Sequence, residues 1–166
     1  MKTLILTRHA KTIPGESGMS DFERTLAPRG PKDIKLIAKE LLTMEYDPDL
    51  IISSPALRAT QTSELFAKVF NYQASQIKYL SYLYGFFSIA DLEKDLANKG
   101  AKAQSIQIIG HNPSISEIAA YLSGSYAESL PTSGTIVIEF DLKKWDYVSE
   151  GTGVLTQFIV PSALRE

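Results

Sequence analysis

Lys2-Thr3-Leu4-Ile5-Leu6-Thr7 runs without a break into Arg8-His9-Ala10-Lys11-Thr12, and the reading of this stretch decides the fold. The first six residues have the composition of a buried strand, and the polar five fall at its carboxyl end. The juxtaposition recurs twice. Ile106-Gln107-Ile108-Ile109-Gly110 leads into His111, and Leu50-Ile51-Ile52-Ser53 leads through Ser54-Pro55 to Arg58 in the first turn of a helix. The only two histidines of the chain and two of its arginines therefore sit at three strand ends. Open α/β sheets bind ligands at the carboxyl ends of their strands, and two guanidiniums with two imidazoles suit a phosphoryl group.

Working outward, strand and helix patterns alternate. A polar loop with glycine covers residues 13–23. A helix starts near Pro28 or Pro31 with Ile34, Ile37, Ala38, Leu41 and Leu42 spaced by three and four along one face. Ser54 reads as an N-cap and Pro55 as the first residue of the next helix, which carries Ala59, Leu65, Phe66 and Val69. A short strand at 77–80 precedes a loop at 82–87. Ser88 and Asp91 resemble a capping box ahead of Ile89, Leu92 and Leu96, with Gly100 as a left-handed cap. The helix after Pro113 holds Ile115, Ile118, Ala119 and Leu122 and closes at Gly124. Residues 135–141 and 154–160 read as a hairpin at a sheet edge. The expectation is one α/β domain over residues 1–166: a three-layer α/β/α sandwich with a mainly parallel sheet and a C-terminal antiparallel hairpin.

The bulk properties narrow the function. With 166 residues, 44% hydrophobic and 22% charged, the composition is that of an ordinary globular domain. A net charge of −2 supplies no global field toward nucleic acid or a membrane surface, so any anion site is local. No apolar run is long enough to span a bilayer. The chain has no cysteine, which excludes thiolate chemistry and fits a reducing compartment. A cytoplasmic protein with neither nucleic acid nor membrane as partner is the simplest expectation.

Arginine offers a planar fork to two phosphate oxygens and keeps its charge at working pH. Arg58 in a first helical turn adds the free N–H groups and positive end of that helix. A neutral imidazole nitrogen is a competent nucleophile toward phosphorus, and a covalent phosphohistidine would divide one hard step into two. His9 beside Arg8 suits that role. His111 would then be a protonated or donor histidine that stabilises the transferring group, although spacing alone allows the reverse. Two histidines without a clustered carboxylate are too few for a metal site. Arg24 and Arg29 read as ion-pair partners of Asp21 or Asp33, and Lys11 equally as a positive rim or a solvated side chain. Tyr79, Tyr82, Tyr84, Phe86 and Phe87 divide between core and a wall of the substrate mouth, with the phenylalanines read as core. Ser114, Ser116 and Glu117 read as helix surface, 132–134 as a loop near the pocket, and Trp145 and Tyr147 as surface or a dimer contact.

Arg8-His9-Ala10-Lys11-Thr12 resembles the Arg-His-Gly/Ala signature of the histidine phosphatase superfamily, and its Ala-Lys variant is similar to the short SixA-like phosphohistidine phosphatase branch. Three further stretches extend the resemblance in register: Asp21-Phe22-Glu23-Arg24-Thr25-Leu26-Ala27-Pro28-Arg29-Gly30, Ser53-Ser54-Pro55-Ala56-Leu57-Arg58-Ala59-Thr60-Gln61-Thr62, and Gly110-His111-Asn112-Pro113. Ala27 departs from it, standing where Thr or a similar cap is expected. The resemblance implies His9 as the phosphorylated nucleophile, Arg8, Arg58 and His111 as the rest of the phosphate pocket, Arg24 near its mouth, and no metal or organic cofactor.

Residues 77–88, where relatives acting on phosphate esters carry an acidic proton donor, contain no Asp or Glu. An alkoxide leaving group needs that proton, whereas the imidazole of phosphohistidine leaves more easily. Asp21, Glu16 and Glu23 in the first loop stay open as alternative donors. Three functions follow. The first is a phosphohistidine phosphatase acting on a phosphorylated protein. The second is a phosphomonoesterase or mutase-like enzyme acting on a small phosphorylated metabolite. The third is a phosphoprotein-binding module without catalysis. The physiological substrate and oligomeric state stay open.

Overall fold

Alternation of apolar side chains along the first strand sets the layers. The computed structural model describes residues 1–126 and 128–165. In strand β1 (Lys2–Arg8), Leu4 and Leu6 enter one apolar cluster and Ile5 enters another, as successive side chains of a strand point to opposite faces. The Ile5 side is covered by helices α1 (Arg29–Thr43) and α2 (Leu57–Phe70), which bring Ile34, Ile37, Leu41 and Phe66. The Leu4 side is covered by α3 (Ile89–Lys99) and α4 (Ser114–Ser123), with Leu92, Leu96, Ile115, Ile118 and Leu122. These are the expected three layers.

The remaining strands are β2 (Leu50–Ser53), β3 (Lys78–Tyr79), β4 (Ser105–Gly110), β5 (Thr135–Phe140) and β6 (Val154–Ile159), and a last helical turn is α5 (Pro161–Leu164). They form one sheet in the order β3-β2-β4-β1-β5-β6. The β3–β2, β2–β4 and β4–β1 pairs are parallel, while β1–β5 and β5–β6 are antiparallel. The hairpin thus forms one edge, with β5 joining it to β1. Parallel neighbours end at the same rim: Arg8 lies opposite Gly110, and Ser53 opposite Ile109. From that rim the chain leaves β1 toward the α1 layer and leaves β4 toward the α4 layer. Adjacent strands whose connections part in this way open a crevice between them, the usual ligand position in such sheets.

Several local expectations are corrected. Helix α2 begins at Leu57 with Ala56 in the N-cap place, so Pro55 is not helical and Ser54 is free for other bonds. Leu42 lies off the buried face of α1 at 39% exposure. Gly100 has φ −88°, not a left-handed value, and is required by crowding instead. A Cβ there would stand 2.4 Å from Ile106 Cδ1 and 2.6 Å from the Leu96 carbonyl oxygen. Gly124 does take the left-handed cap, with φ 67°. Trp145 is core, its Nε1 donating to the Ala103 carbonyl at 2.8 Å. Phe86 is the reverse: expected inside, it is 91% exposed. No helix is long and apolar enough to cross a membrane among the described residues.

Candidate active site

The shared rim places His9, Ser54 and His111 side by side. The His9 amide donates to the Gly110 carbonyl at 3.0 Å and the Ser54 amide to the Ile109 carbonyl at 3.0 Å, continuing the parallel ladder one residue past each strand. The loop before β5 closes the other side: the Ser133 amide donates to the carbonyls of both Arg8 and His9 at 3.1 Å. Thr62 of α2 accepts from the Ala10 amide at 3.0 Å and donates to the Arg58 carbonyl at 2.7 Å. One hydroxyl therefore ties the turn after β1 to the helix that carries Arg58.

All four expected residues line one cavity of about 510 Å³, and Arg24, Lys11 and Thr132 border it too. The side chains of His9, Arg58 and His111 are buried. The two imidazole centroids are 5.1 Å apart, their planes tilted by 52°. His9 Nδ1 is 2.9 Å from the Ala10 carbonyl oxygen. A carbonyl can only accept, so Nδ1 carries the ring proton and Nε2 keeps its lone pair. Arg8 donates through NH1 to the Leu130 carbonyl at 2.9 Å, while its Nε is buried without a partner. Asn112, half-buried, braces the same loop by donating to the Leu130 carbonyl at 2.7 Å and accepting from Ser116 at 2.6 Å. Ser116 is thereby a structural residue, not plain helix surface.

Both imidazoles are held neutral. Burial, aided by coupling to His111 and by the positive charges of Arg58 and Arg8, pushes His9 down to about 3 against the backbone bond that favours its charged form. Burial and then Arg58 push His111 down to about 4, with Asp21 partly opposing. Of the two expected states of His111, protonated or a neutral donor, these surroundings favour the neutral donor. Its Nε2 lies 2.7 Å from Ser54 Oγ, and its Nδ1 is buried with no partner.

Asp21 was open as a proton donor, and its surroundings make it a different kind of residue. Arg58 donates through NH1 to the Asp21 carbonyl at 2.7 Å and through NH2 to its carboxylate at 2.9 Å. Arg24 donates to the other carboxylate oxygen at 3.1 Å, and the Tyr84 hydroxyl donates at 2.9 Å. The Tyr84 bond first, then Arg58 and Arg24, hold this carboxyl down at about 2. It carries no proton at neutral pH. Glu16 and Glu23 are exposed and do not border the cavity. Tyr84 is the aromatic that reaches the site, 5.7 Å from the His111 ring and 5.9 Å from the Arg58 guanidinium. Arg24 also donates to Thr12, and Arg29 pairs with Asp33 at 3.7 Å, as the ion-pair reading expects.

Comparison with known proteins gives the family and the fold. A model of the histidine phosphatase superfamily (branch 1) matches residues 4–81. An uncharacterised protein of Mycobacterium tuberculosis is 30% identical over 164 residues, covering 93% of this chain and 99% of the relative. An uncharacterised chloroplastic protein of Arabidopsis thaliana is 27% identical, covering 87% of this chain and 69% of the relative. Among solved structures, the candidate phosphohistidine phosphatase SixA from Agrobacterium tumefaciens is 28% identical with a TM-score of 0.80, covering 96% of this chain and 98% of that one. The protein histidine phosphatase SixA complexed with tungstate matches in fold with a TM-score of 0.82 at 23% identity, over 98% of this chain and 99% of that one. The chain belongs to the histidine phosphatase superfamily and has the SixA-like fold.

Proposed function

We propose that this chain is a phosphohistidine phosphatase, one domain over residues 1–166, acting through a covalent phosphohistidine on His9. The observation that carries the reading is the fixed tautomer of His9. Its Nδ1 is committed to the Ala10 carbonyl, so a neutral Nε2 lone pair faces a pocket lined by Arg8, Arg58 and His111. In the first step a substrate phosphohistidine whose other ring nitrogen already carries a proton from solvent is attacked at phosphorus by His9 Nε2; the substrate P–N bond breaks and its ring leaves as neutral imidazole, needing no proton from the site. In the second step water attacks phosphorus, the P–N bond to His9 breaks, and inorganic phosphate leaves with Nε2 restored. Arg8 and Arg58 hold the equatorial oxygens, and His111 donates a hydrogen bond to the developing charge.

The substrate class rests on the missing acid. Residues 77–88 have no carboxyl group, and Asp21 is held ionised by Tyr84, Arg58 and Arg24. That combination favours a leaving group that needs little protonic help, as in a phosphoramidate. A histidine-phosphorylated protein is the partner this chemistry fits, and a cytoplasmic location agrees with the cysteine-free sequence. A preference for small phosphate esters would instead place the protein with the phosphomonoesterases. The test is dephosphorylation of a radiolabelled phosphohistidine protein, with p-nitrophenyl phosphate and sugar phosphates run in parallel. The expected result is label loss abolished by His9→Ala, with esters turned over far more slowly. Faster turnover of the esters overturns the substrate assignment, and absence of acid-labile label on the enzyme overturns the covalent intermediate.

A further inference from the structure

Ser54 takes no part in the chemistry above, yet it is fully buried and bonded to a catalytic candidate. Its position is determined by the sheet. Because Ser53 lies opposite Ile109, the residue after β2 falls beside the residues that end β4. Its amide is spent on the Ile109 carbonyl, and its Oγ accepts from the Ala56 amide at 3.2 Å. The hydroxyl proton remains. Among the described residues, the hydrogen-bonding atom in reach of it is His111 Nε2, at 2.7 Å.

We propose that Ser54 is a positioning residue that fixes His111 as the Nδ1–H tautomer, by donating its hydroxyl proton to Nε2. The inference rests on the phosphatase reading for its consequence, not for its geometry. The opposite arrangement has Nε2–H donating to Ser54. It would strand the serine proton in a buried place, at the cost of an unmade hydrogen bond. It would also leave Nδ1 as a bare lone pair beside an anion, where a donor is wanted. The tautomer of a histidine is set by the bond that its other nitrogen makes. With Nε2 accepting from Ser54, Nδ1, which is buried and has no partner, becomes a donor for a phosphoryl oxygen. A ring held neutral by burial and Arg58 needs such a device, because it cannot rely on carrying both protons.

With two histidines in the chain, long-range ¹H–¹⁵N spectra at neutral pH read both tautomers directly, and a His9→Asn variant assigns them. The expected wild-type result is a protonated Nδ1 and an unprotonated Nε2 on His111. In Ser54→Ala the His111 signals should move toward the other tautomer or a mixture. kcat on a phosphohistidine substrate should fall roughly tenfold or more with KM little changed, which is less than the hundredfold to thousandfold of deleting an anion-hole donor outright. Ser54→Thr, which keeps the hydroxyl, should restore the tautomer and part of the rate. A wild-type His111 protonated on Nε2 overturns the proposal. So does a Ser54→Ala enzyme whose tautomer is unchanged, whatever its rate. If the wild type hydrolysed no phosphoramidate, the functional reading would fail while the spectra still decided the tautomer.

Discussion

The rims of β1 and β4 carry one imidazole each, a single residue beyond their strands and almost equally buried, at 6% for His9 and 8% for His111. What separates them is the atom each ring leans on. His9 leans on a backbone carbonyl, which has no choice of polarity, so the bare nitrogen is decided by the main chain. His111 leans on a hydroxyl, which can give or take a proton, so its polarity depends on what else holds that serine. On the proposed reading, two identical side chains in one pocket thus acquire opposite duties, lone pair against donor, without a difference in charge.

The harshest way to break this contrast is to remove each ring in turn. His9→Ala should abolish the phosphoenzyme and lower turnover by about a thousandfold or more, measured by labelling after an alkaline detergent quench, which preserves the P–N bond, and by single-turnover rates. His111→Ala should still form the phosphoenzyme, more slowly, with kcat down about a hundredfold to a thousandfold, as for other lost donors to a developing charge. If both variants retained a phosphoenzyme, the division of duties would be wrong.

A change of pH tests the shared neutrality. An unfolded histidine titrates near 6.5, and here the folded rings titrate at about 3 and 4. The unfolded chain therefore binds more protons below about pH 6.5, and stability should fall as pH drops from there toward 4. The slope approaches about 1.4 kcal/mol per pH unit for each ring. Denaturant midpoints should show the decline, and a His9→Asn, His111→Asn double variant should flatten it. For the same reason kcat/KM should show no loss between pH 7 and pH 5 traceable to either ring, in place of the bell that a charged His111 would produce. The smallest effect belongs to Asp21→Asn. Removing an exposed carboxylate from Arg58 (an ion pair of a kind worth about 0.2–1 kcal/mol) should tighten inhibition by inorganic phosphate or tungstate about two- to fivefold. A weaker inhibition would mean that Asp21 serves chiefly to orient the guanidinium.

The four pocket residues were legible because each stands just after a short strand pattern: Leu4-Ile5-Leu6 before Arg8-His9, Ile106-Gln107-Ile108-Ile109 before His111, and Leu50-Ile51-Ile52 shortly before Arg58. Their convergence needed only the rule that parallel strands end together. The cap reading of Ser54 failed, and the contact of Asp21 with Arg58 went unseen beside its expected pair with Arg24, for one common reason. Ser54-Pro55 has the local form of a helix cap, and only the register between Ser53 and Ile109, set across more than fifty residues of chain, gives its hydroxyl another partner. Asp21 meets Arg58 across 37 residues of separation, through a loop without periodicity. Trp145 lies among Lys143, Lys144 and Asp146 and looked like surface. Its indole is buried because Ala103 offers a carbonyl and Phe140 a ring 6.2 Å away. Phe86 erred the other way, since hydrophobicity alone does not say which side of a turn faces inward.

The Thr62 hydroxyl, finally, makes the spacing between nucleophile and guanidinium a property of one covalent group and not of two independent elements. Thermal motion of α2 and of the turn after β1 must be correlated where they share that oxygen, so the cradle breathes as a unit. A valine of the same shape at this position would keep the packing and cut the tether. Such a protein would hold every reactive group and yet lose the mutual alignment that lets them act at the same instant.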